Sequence, residues 1–188
     1  MDLALYHALN GLAGQAAWSD HIFRWATQGT AYLLGALLIG AWFWPGSALD
    51  RGQRQRLVIY AVAAALLGLF LAQIIGHLWY RDRPYLHHVS YLLTPHSPDA
   101  SFPSDHAVGG FALALPFVFA RRRLGWVLLA LATILALSRV IVGVHYPSDV
   151  AGGALLALAS VAVIWWVRPW FERPLAAGLH LAHRVRLA

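Results

Sequence analysis

Five long apolar runs constrain this chain more than any other feature. They cover Ile22–Trp44, Leu57–Tyr80, Ser104–Ala120, Leu124–Val142 and Val150–Trp170. A helix of about 20 mostly apolar residues crosses the hydrocarbon core of a bilayer. Apolar residues make up 60% of the 188 positions and charged residues only 12%, a balance that soluble domains rarely show. The sequence therefore predicts an all-α integral membrane helical bundle with five transmembrane helices, forming a single domain over residues 1–188.

The segments outside these runs have distinct characters. Residues 1–19 are mildly amphipathic and lack the basic start and cleavage site of a signal peptide, which predicts a short helix in the membrane interface. Residues 81–103 form the longest connection and are expected to be partly ordered over a site. Residues 171–188 are predicted to form a short basic tail.

The basic residues predict the orientation in the membrane. All fourteen are arginines, and ten fall at one end of the predicted bundle: Arg51, Arg54, Arg56, Arg121, Arg122, Arg123, Arg168, Arg173, Arg184 and Arg186. Basic loops stay on the cytoplasmic side, so the 81–103 segment and the 138–149 junction are expected to face outward. The net charge of +6 thus indicates membrane topology, and no nucleic-acid partner is expected. The chain has no cysteine, which excludes disulfides and thiolate metal sites.

The junction between the fourth and fifth runs carries polar groups that are costly beside a bilayer unless they have a function. Arg139 offers a planar charged fork for phosphate oxygens, and His145 can act as a nucleophile or proton carrier. Asp149 lies four residues later, in a first helical turn that begins at Pro147, and can orient the imidazole. The alternative is a plain helix–turn–helix junction in which the histidine and aspartate have no shared role.

Two further clusters are predicted to meet this junction at the same end of an antiparallel bundle. Arg81-Asp82-Arg83-Pro84 follows the second run, and Phe102-Pro103-Ser104-Asp105-His106 begins the third. Ser104 is a good helix N-cap, and a helix N-terminus presents N–H groups to an anion. His106 is placed to protonate a leaving oxygen. Together these residues predict phosphoryl transfer through histidine without a metal or other cofactor.

The three clusters resemble the signature motifs of the type 2 phosphatidic-acid phosphatase superfamily, a group of membrane lipid phosphatases. Ser138, Arg139, His145 and Asp149 match the third motif in full, and Pro103-Ser104-Asp105-His106 matches the second with aspartate in place of glycine. Arg83-Pro84 ends the first motif, but its lysine position is Gly76. The resemblance implies a His145 nucleophile, a His106 general acid, Asp149 as partner of His145, and Arg83, Ser104 and Arg139 as phosphate ligands.

The residues of the first two motifs indicate a particular substrate class within the superfamily. Tyr-Arg-Asp-Arg-Pro and Phe-Pro-Ser-Asp-His-Ala are similar to the bacterial undecaprenyl-diphosphatase branch, which implies recycling of the lipid carrier of cell-wall synthesis at the outer face of the cytoplasmic membrane. Phosphatidylglycerol phosphate, phosphatidic acid and lipid A phosphate remain alternative substrates of the superfamily. Because no lysine is present, Arg81 is predicted to supply the missing positive charge to the phosphate. The alternative is that Arg81 is an interface anchor neutralised by Asp82.

Other functions remain open at this point. A lipid flippase or a non-catalytic membrane scaffold could use the same basic pocket, although a transporter usually places its polar groups at the bilayer midplane. His87, His88, His96 and His106 lack a regular zinc-ligand spacing, so no metal site is expected. The oligomeric state cannot be read from the sequence.

Overall fold

The computed structural model is all-helical over the residues that it describes, namely 1–45, 47–87, 90–95 and 98–184. Seven helices follow one another along this part of the chain: α1 (Asp2–Asn10), α2 (Ala17–Phe43), α3 (Ala48–Leu78), α4 (Pro84–His87), α5 (Asp105–Phe119), α6 (Arg123–Ile141) and α7 (Pro147–Arg184). His88, His96 and Arg186, which figured in the sequence predictions, lie outside the described residues. The predicted helical bundle is confirmed.

The bundle is organised around α5, which packs against α3, α6 and α7. Three segments are long and apolar enough to cross a membrane: Asp50–Leu78, Arg123–Ile141 and Pro147–Leu179. Asp105–Phe119 is a shorter apolar helix. These features fit a multi-pass membrane protein, and the predicted number of five spans stays a prediction.

Helices α3 and α7 extend well beyond the apolar runs. Helix α3 begins at Ala48, nine residues before the predicted span, because Ser47 caps it by accepting a hydrogen bond from the backbone N–H of Asp50. Helix α7 has 38 residues and continues through Pro169 and Pro174. At 1.5 Å per residue it is about 57 Å long, nearly twice the hydrocarbon thickness. Most of the predicted basic tail is therefore the C-terminal part of α7.

One end of the bundle gathers the predicted arginine clusters. Arg122, at the start of α6, donates to Asp50 of α3 at 2.8 Å and to the side chain of Gln53 at 2.5 Å. These contacts join the first turns of α3 to the α5–α6 connection, as the antiparallel arrangement requires.

The opposite end gathers the other three clusters, and small residues allow their close approach. Gly143 has φ +88°, and a Cβ there would lie 2.5 Å from the carbonyl oxygen of Tyr91. A Cβ on Gly153 of α7 would lie 2.8 Å from the carbonyl oxygen of Ser104. Only glycine fits either position without a shift of the backbone.

Helix α1 is docked onto the bundle. Its Tyr6 is fully buried, and the Tyr6 hydroxyl donates to Ser90 Oγ at 2.6 Å. The Asn10 amide donates to the carbonyl oxygens of Tyr91 and Ile141, at 2.9 Å each, and accepts from Tyr91 N. Helix α1 is therefore fixed to the end of α6 and to the segment that precedes α5.

Candidate active site

A cavity of about 380 Å³ opens at the end of the bundle that carries the three motifs. Most of the predicted site residues line it. The polar and titratable side chains on its wall are Gln73, His77, Tyr80, Arg83, Asp99, Asp105, His106, Arg139 and His145. The structure thus brings together Arg83, His106, Arg139 and His145, which are up to 62 positions apart in the sequence (83 to 145).

His145 is held in one orientation in the loop between α6 and α7. Its side chain is almost fully buried, and its Nδ1 lies 2.8 Å from the carbonyl oxygen of Ser101. A carbonyl oxygen can only accept, so Nδ1 carries the proton and Nε2 holds the lone pair of the neutral ring. Burial lowers the pKa of His145 below its ordinary value; Asp149 acts in the opposite direction, while Arg83 and Arg139 lower it further. The ring is therefore neutral near pH 7.

Asp149 stands behind His145 and is completely buried. Its Oδ2 accepts from Ser101 Oγ at 2.5 Å and from the backbone N–H of Tyr146 at 2.8 Å. The distance from Oδ2 to His145 Nδ1 is 3.7 Å, longer than a hydrogen bond. The carboxylate thus acts on the imidazole through its charge, and Ser101 fixes the tautomer.

Ser101 is a residue that the sequence analysis missed. It binds both His145 and Asp149, and its own backbone N–H donates to the carbonyl oxygen of Arg81 at 2.8 Å. Its position three residues before the Ser104 N-cap offered a weak signal at most, because its role depends on the fold of the 81–103 segment.

The two cavity arginines are positioned mainly by backbone and side-chain oxygens. Arg83 is 7% exposed and donates to the carbonyl oxygens of Asp99, at 3.0 Å, and Val144, at 3.2 Å. Arg139 donates from Nη1 to Thr27 Oγ1 of α2 at 2.9 Å, and its buried Nε has no hydrogen-bond partner among the described residues. Neither guanidinium has an ion pair with a carboxylate in the described part of the chain, so both charges remain for an anion in the cavity.

The start of α5 lies beside the same cavity. Ser104 precedes the helix and is fully buried; its backbone N–H donates to the carbonyl oxygen of Asp149 at 3.1 Å. The Ser104 hydroxyl has no hydrogen-bond partner among the described residues. Ser104 itself does not line the cavity, although its neighbours Pro103 and Asp105 do. His106, in the first turn, reaches the wall itself. Asp105 occupies the family's glycine position and accepts from Gln73 of α3 at 3.0 Å.

Arg81 departs from the prediction that it binds phosphate. It does not line the cavity, because two carboxylates and a hydroxyl hold its guanidinium on the far side of Asp149. Nη1 donates to Asp149 Oδ1 at 2.6 Å and to Ser148 Oγ at 2.7 Å, and Nη2 donates to Asp2 Oδ2 at 2.9 Å. Burial alone would lower the pKa of Arg81, but these acidic partners outweigh it and raise the pKa above its ordinary value.

The vacant lysine position is on the cavity wall. A Cβ on Gly76 would lie 3.4 Å from Ala100 Cβ, which is ordinary van der Waals contact. His77 also reaches the wall, and its Nδ1 donates to the carbonyl oxygen of Gln73 in the same helix at 2.8 Å. An imidazole, rather than an ammonium group, thus stands at this part of the rim.

Comparisons with known proteins show what this chain is similar to. The family model described as the PAP2 superfamily matches residues 56–173. Undecaprenyl-diphosphatase BcrC of Bacillus subtilis is 30% identical over 158 residues, which are 84% of this chain and 79% of that protein. The putative undecaprenyl-diphosphatase YbjG of Escherichia coli is 31% identical over 95% of this chain and 96% of its own length. The crystal structure of Aquifex aeolicus LpxE has the same fold, with a TM-score of 0.71 at 24% identity, over 87% of this chain and 94% of that one.

Proposed function

Because the chain belongs to the PAP2 superfamily, we propose that it is a membrane lipid diphosphatase that hydrolyses undecaprenyl diphosphate to undecaprenyl phosphate and phosphate. One observation carries the mechanism. A buried, neutral His145 with its proton fixed on Nδ1 stands on the wall of a cavity that also bears two arginines without carboxylate partners among the described residues. The names of two relatives that match most of the chain support the choice of substrate.

In the first step, His145 Nε2 attacks the terminal phosphorus of the diphosphate. The new N–P bond forms as the P–O bond to the bridging oxygen breaks, and undecaprenyl phosphate leaves. Arg83, Arg139, the Ser104 hydroxyl and the N-terminus of α5 bind the non-bridging oxygens, whose charge grows in the transition state. His106 protonates the departing oxygen. A lipid phosphate needs this help less than an alkoxide does, because it is the better leaving group.

In the second step, water attacks the phosphohistidine. His106, now neutral, takes a proton from the water, the N–P bond breaks, and phosphate is released with His145 restored. The imidazole is cationic while it carries the phosphoryl group, and the Asp149 carboxylate, 3.7 Å from Nδ1, stabilises that cation. The arginines provide the positive charge that a metal ion supplies in other phosphatases, so the reaction needs no cofactor.

We place the site at the outer face of the cytoplasmic membrane. The argument is the clustering of arginines at the other end of the bundle, where Arg122 joins Asp50 and Gln53. An outward-facing site also fits the substrate, because the carrier diphosphate is left on the outer leaflet when its cargo is transferred.

Phosphate release from a substrate panel tests the function. Purified protein in detergent should hydrolyse undecaprenyl diphosphate with a kcat/KM at least tenfold above that for phosphatidylglycerol phosphate, phosphatidic acid or a lipid A phosphate. A His145→Ala variant serves as the control for contaminating phosphatases. Preference for a monophosphate lipid would assign the chain to another branch of the superfamily, and absence of hydrolysis with every substrate would favour a flippase or scaffold.

A further inference from the structure

Four side chains behind the proposed nucleophile form one hydrogen-bonded unit, which we call the Asp149 clamp: Asp2, Arg81, Ser148 and Asp149. Arg81 joins the two carboxylates, donating from Nη2 to Asp2 and from Nη1 to Asp149. The Ser148 hydroxyl accepts from Arg81 and donates to Asp2 Oδ2 at 2.5 Å, and Ser148 N donates to Asp2 Oδ1 at 2.9 Å. Asp2 thus accepts two hydrogen bonds from Ser148, 146 positions away, and one from Arg81, 79 positions away.

The clamp determines which oxygen of Asp149 faces His145. Oδ1 is occupied by Arg81, while Oδ2 takes Ser101 and the Tyr146 N–H and lies nearest to His145. A rotation of the carboxylate would break a charge-assisted bond to a guanidinium that is itself fixed at its other end by Asp2. The ring of Tyr146 lies 4.1 Å from the guanidinium carbon and covers its face.

The charges of the clamp also balance in a way that suits the reaction. Arg81 alone would neutralise Asp149, whereas Arg81 shared with Asp2 leaves a net charge of −1 behind His145. Burial alone would raise the pKa of Asp2, but hydrogen bonds from Ser148 and Arg81 outweigh it and lower the pKa. Asp2 therefore stays ionised over the whole neutral range, and its contribution is lost only as the pH falls through its lowered pKa.

We propose that Asp2 of helix α1 is a positioning residue for phosphoryl transfer, which acts through Arg81 and Ser148 to hold Asp149 behind His145. This proposal rests on the proposed function, and it makes the N-terminal helix a part of the catalytic apparatus. The simpler alternative is that Asp2 only begins α1, where an acidic residue suits the helix dipole, and helps to dock it.

A double-mutant cycle of Asp2→Asn and Arg81→Ala distinguishes the two roles. If Asp2 acts through Arg81, Asp2→Asn should lower kcat about tenfold in the wild-type background, by analogy with the outer groups that orient metal ligands, with KM unchanged within twofold. In the Arg81→Ala background the same substitution should change kcat less than twofold. Arg81→Lys should recover part of the lost rate, because one amine can reach Asp149 but cannot bridge both carboxylates.

The pH dependence of kcat/KM provides a second readout that a docking role would not move. The charged and titratable groups facing His145 are Asp149 of α7, Arg139 of α6, His106 of α5 and Arg83 beside α4. Removing the negative charge of Asp2 makes the surroundings of His145 more positive and lowers the pKa of its imidazole. The acid limb of the kcat/KM profile should therefore shift to lower pH. Removing the positive charge of Arg81 should shift it to higher pH, and the double variant should return close to wild type.

Two controls keep the outcomes separate. Asn10→Ala removes another polar anchor of α1, so it should lower the unfolding temperature and leave the acid limb of the kcat/KM profile in place. Asp20→Asn removes one negative charge that binds only the Gly14 N–H among the described contacts, and should change neither readout. The proposal would be overturned if Asp2→Asn lowered kcat equally in the wild-type and Arg81→Ala backgrounds. It would also be overturned if the acid limbs of the Asp2→Asn and Arg81→Ala variants did not move in opposite directions. Turnover by His145→Ala would instead overturn the proposed function.

Discussion

Asp149→Asn removes the charge behind the proposed nucleophile with little change of shape. Two unit charges separated by 3.7 Å, the distance from His145 Nδ1 to Asp149 Oδ2, attract by about 4 kcal/mol at an effective dielectric constant of about 20. This attraction exists only while the imidazole is cationic, in the transition state and the phosphohistidine. Its loss corresponds to about a thousandfold in rate, and the residual amide dipole reduces the expected loss of kcat to between about 100-fold and 1000-fold.

The hydrogen bonds of Asp149 make the substitution costly in either orientation of the amide. If the new NH₂ group faces Arg81, two donors meet and the guanidinium loses one of its two carboxylates. If it faces the other way, it meets the N–H of Tyr146. A buried, unsatisfied donor costs about 1–3 kcal/mol, so the unfolding temperature should fall as well.

Initial-rate phosphate release with undecaprenyl diphosphate measures the effect on catalysis. KM should stay within threefold of wild type, because Asp149 does not line the cavity. Asp20→Asn is the matched control for an aspartate on the same side of the bundle. A folded Asp149→Asn variant with a kcat within tenfold of wild type would refute the electrostatic role.

Three further predictions follow from the same geometry. Activity should survive EDTA, because arginines bind the phosphate group. Orthovanadate should inhibit as a mimic of the five-coordinate transition state. Loss of activity in EDTA that one divalent ion restores would contradict this prediction. A cysteine replacing Pro95 should react with an impermeant maleimide in intact cells, whereas a cysteine replacing Arg123 should react only after permeabilisation. The chain has no native cysteine to interfere. The reverse labelling pattern would show that the orientation in the membrane is inverted. Gly143→Ala should lower the free energy of unfolding by about 2 kcal/mol or more, because φ is +88° and the new Cβ would lie 2.5 Å from the carbonyl oxygen of Tyr91. An unchanged denaturation midpoint would contradict this and show that the junction can relax.

Local motifs made much of the site predictable. Arg139, His145 and Asp149 lie within eleven residues, and the helix boundaries around them follow from Pro147 and the apolar runs. The antiparallel order of the runs then predicts that Arg83 and His106 reach the same end of the bundle, as the structure confirms. The positions of the apolar runs and their antiparallel order are enough to predict that these residues meet.

The missed contacts depend on tertiary packing between distant segments. Ser101 fixes the His145 tautomer through its backbone carbonyl, which no residue type reveals. Thr27 holds Arg139 from a helix that was seen only as an apolar run. Arg81 was expected at the phosphate because it is near the vacant lysine position, yet the buried charge of Asp149 and the docking of α1 draw its guanidinium to the other side.

A trapped phosphoenzyme tests the central claim most directly. Rapid acid-free quenching during turnover of undecaprenyl diphosphate, followed by peptide mass spectrometry under alkaline conditions that preserve phosphoramidates, should find one phosphoryl group on His145. The labelled fraction should be absent in His145→Ala and should increase in a variant that slows the second step, such as His106→Gln. Turnover without any phosphohistidine, or with the phosphoryl group on another residue, would contradict the mechanism.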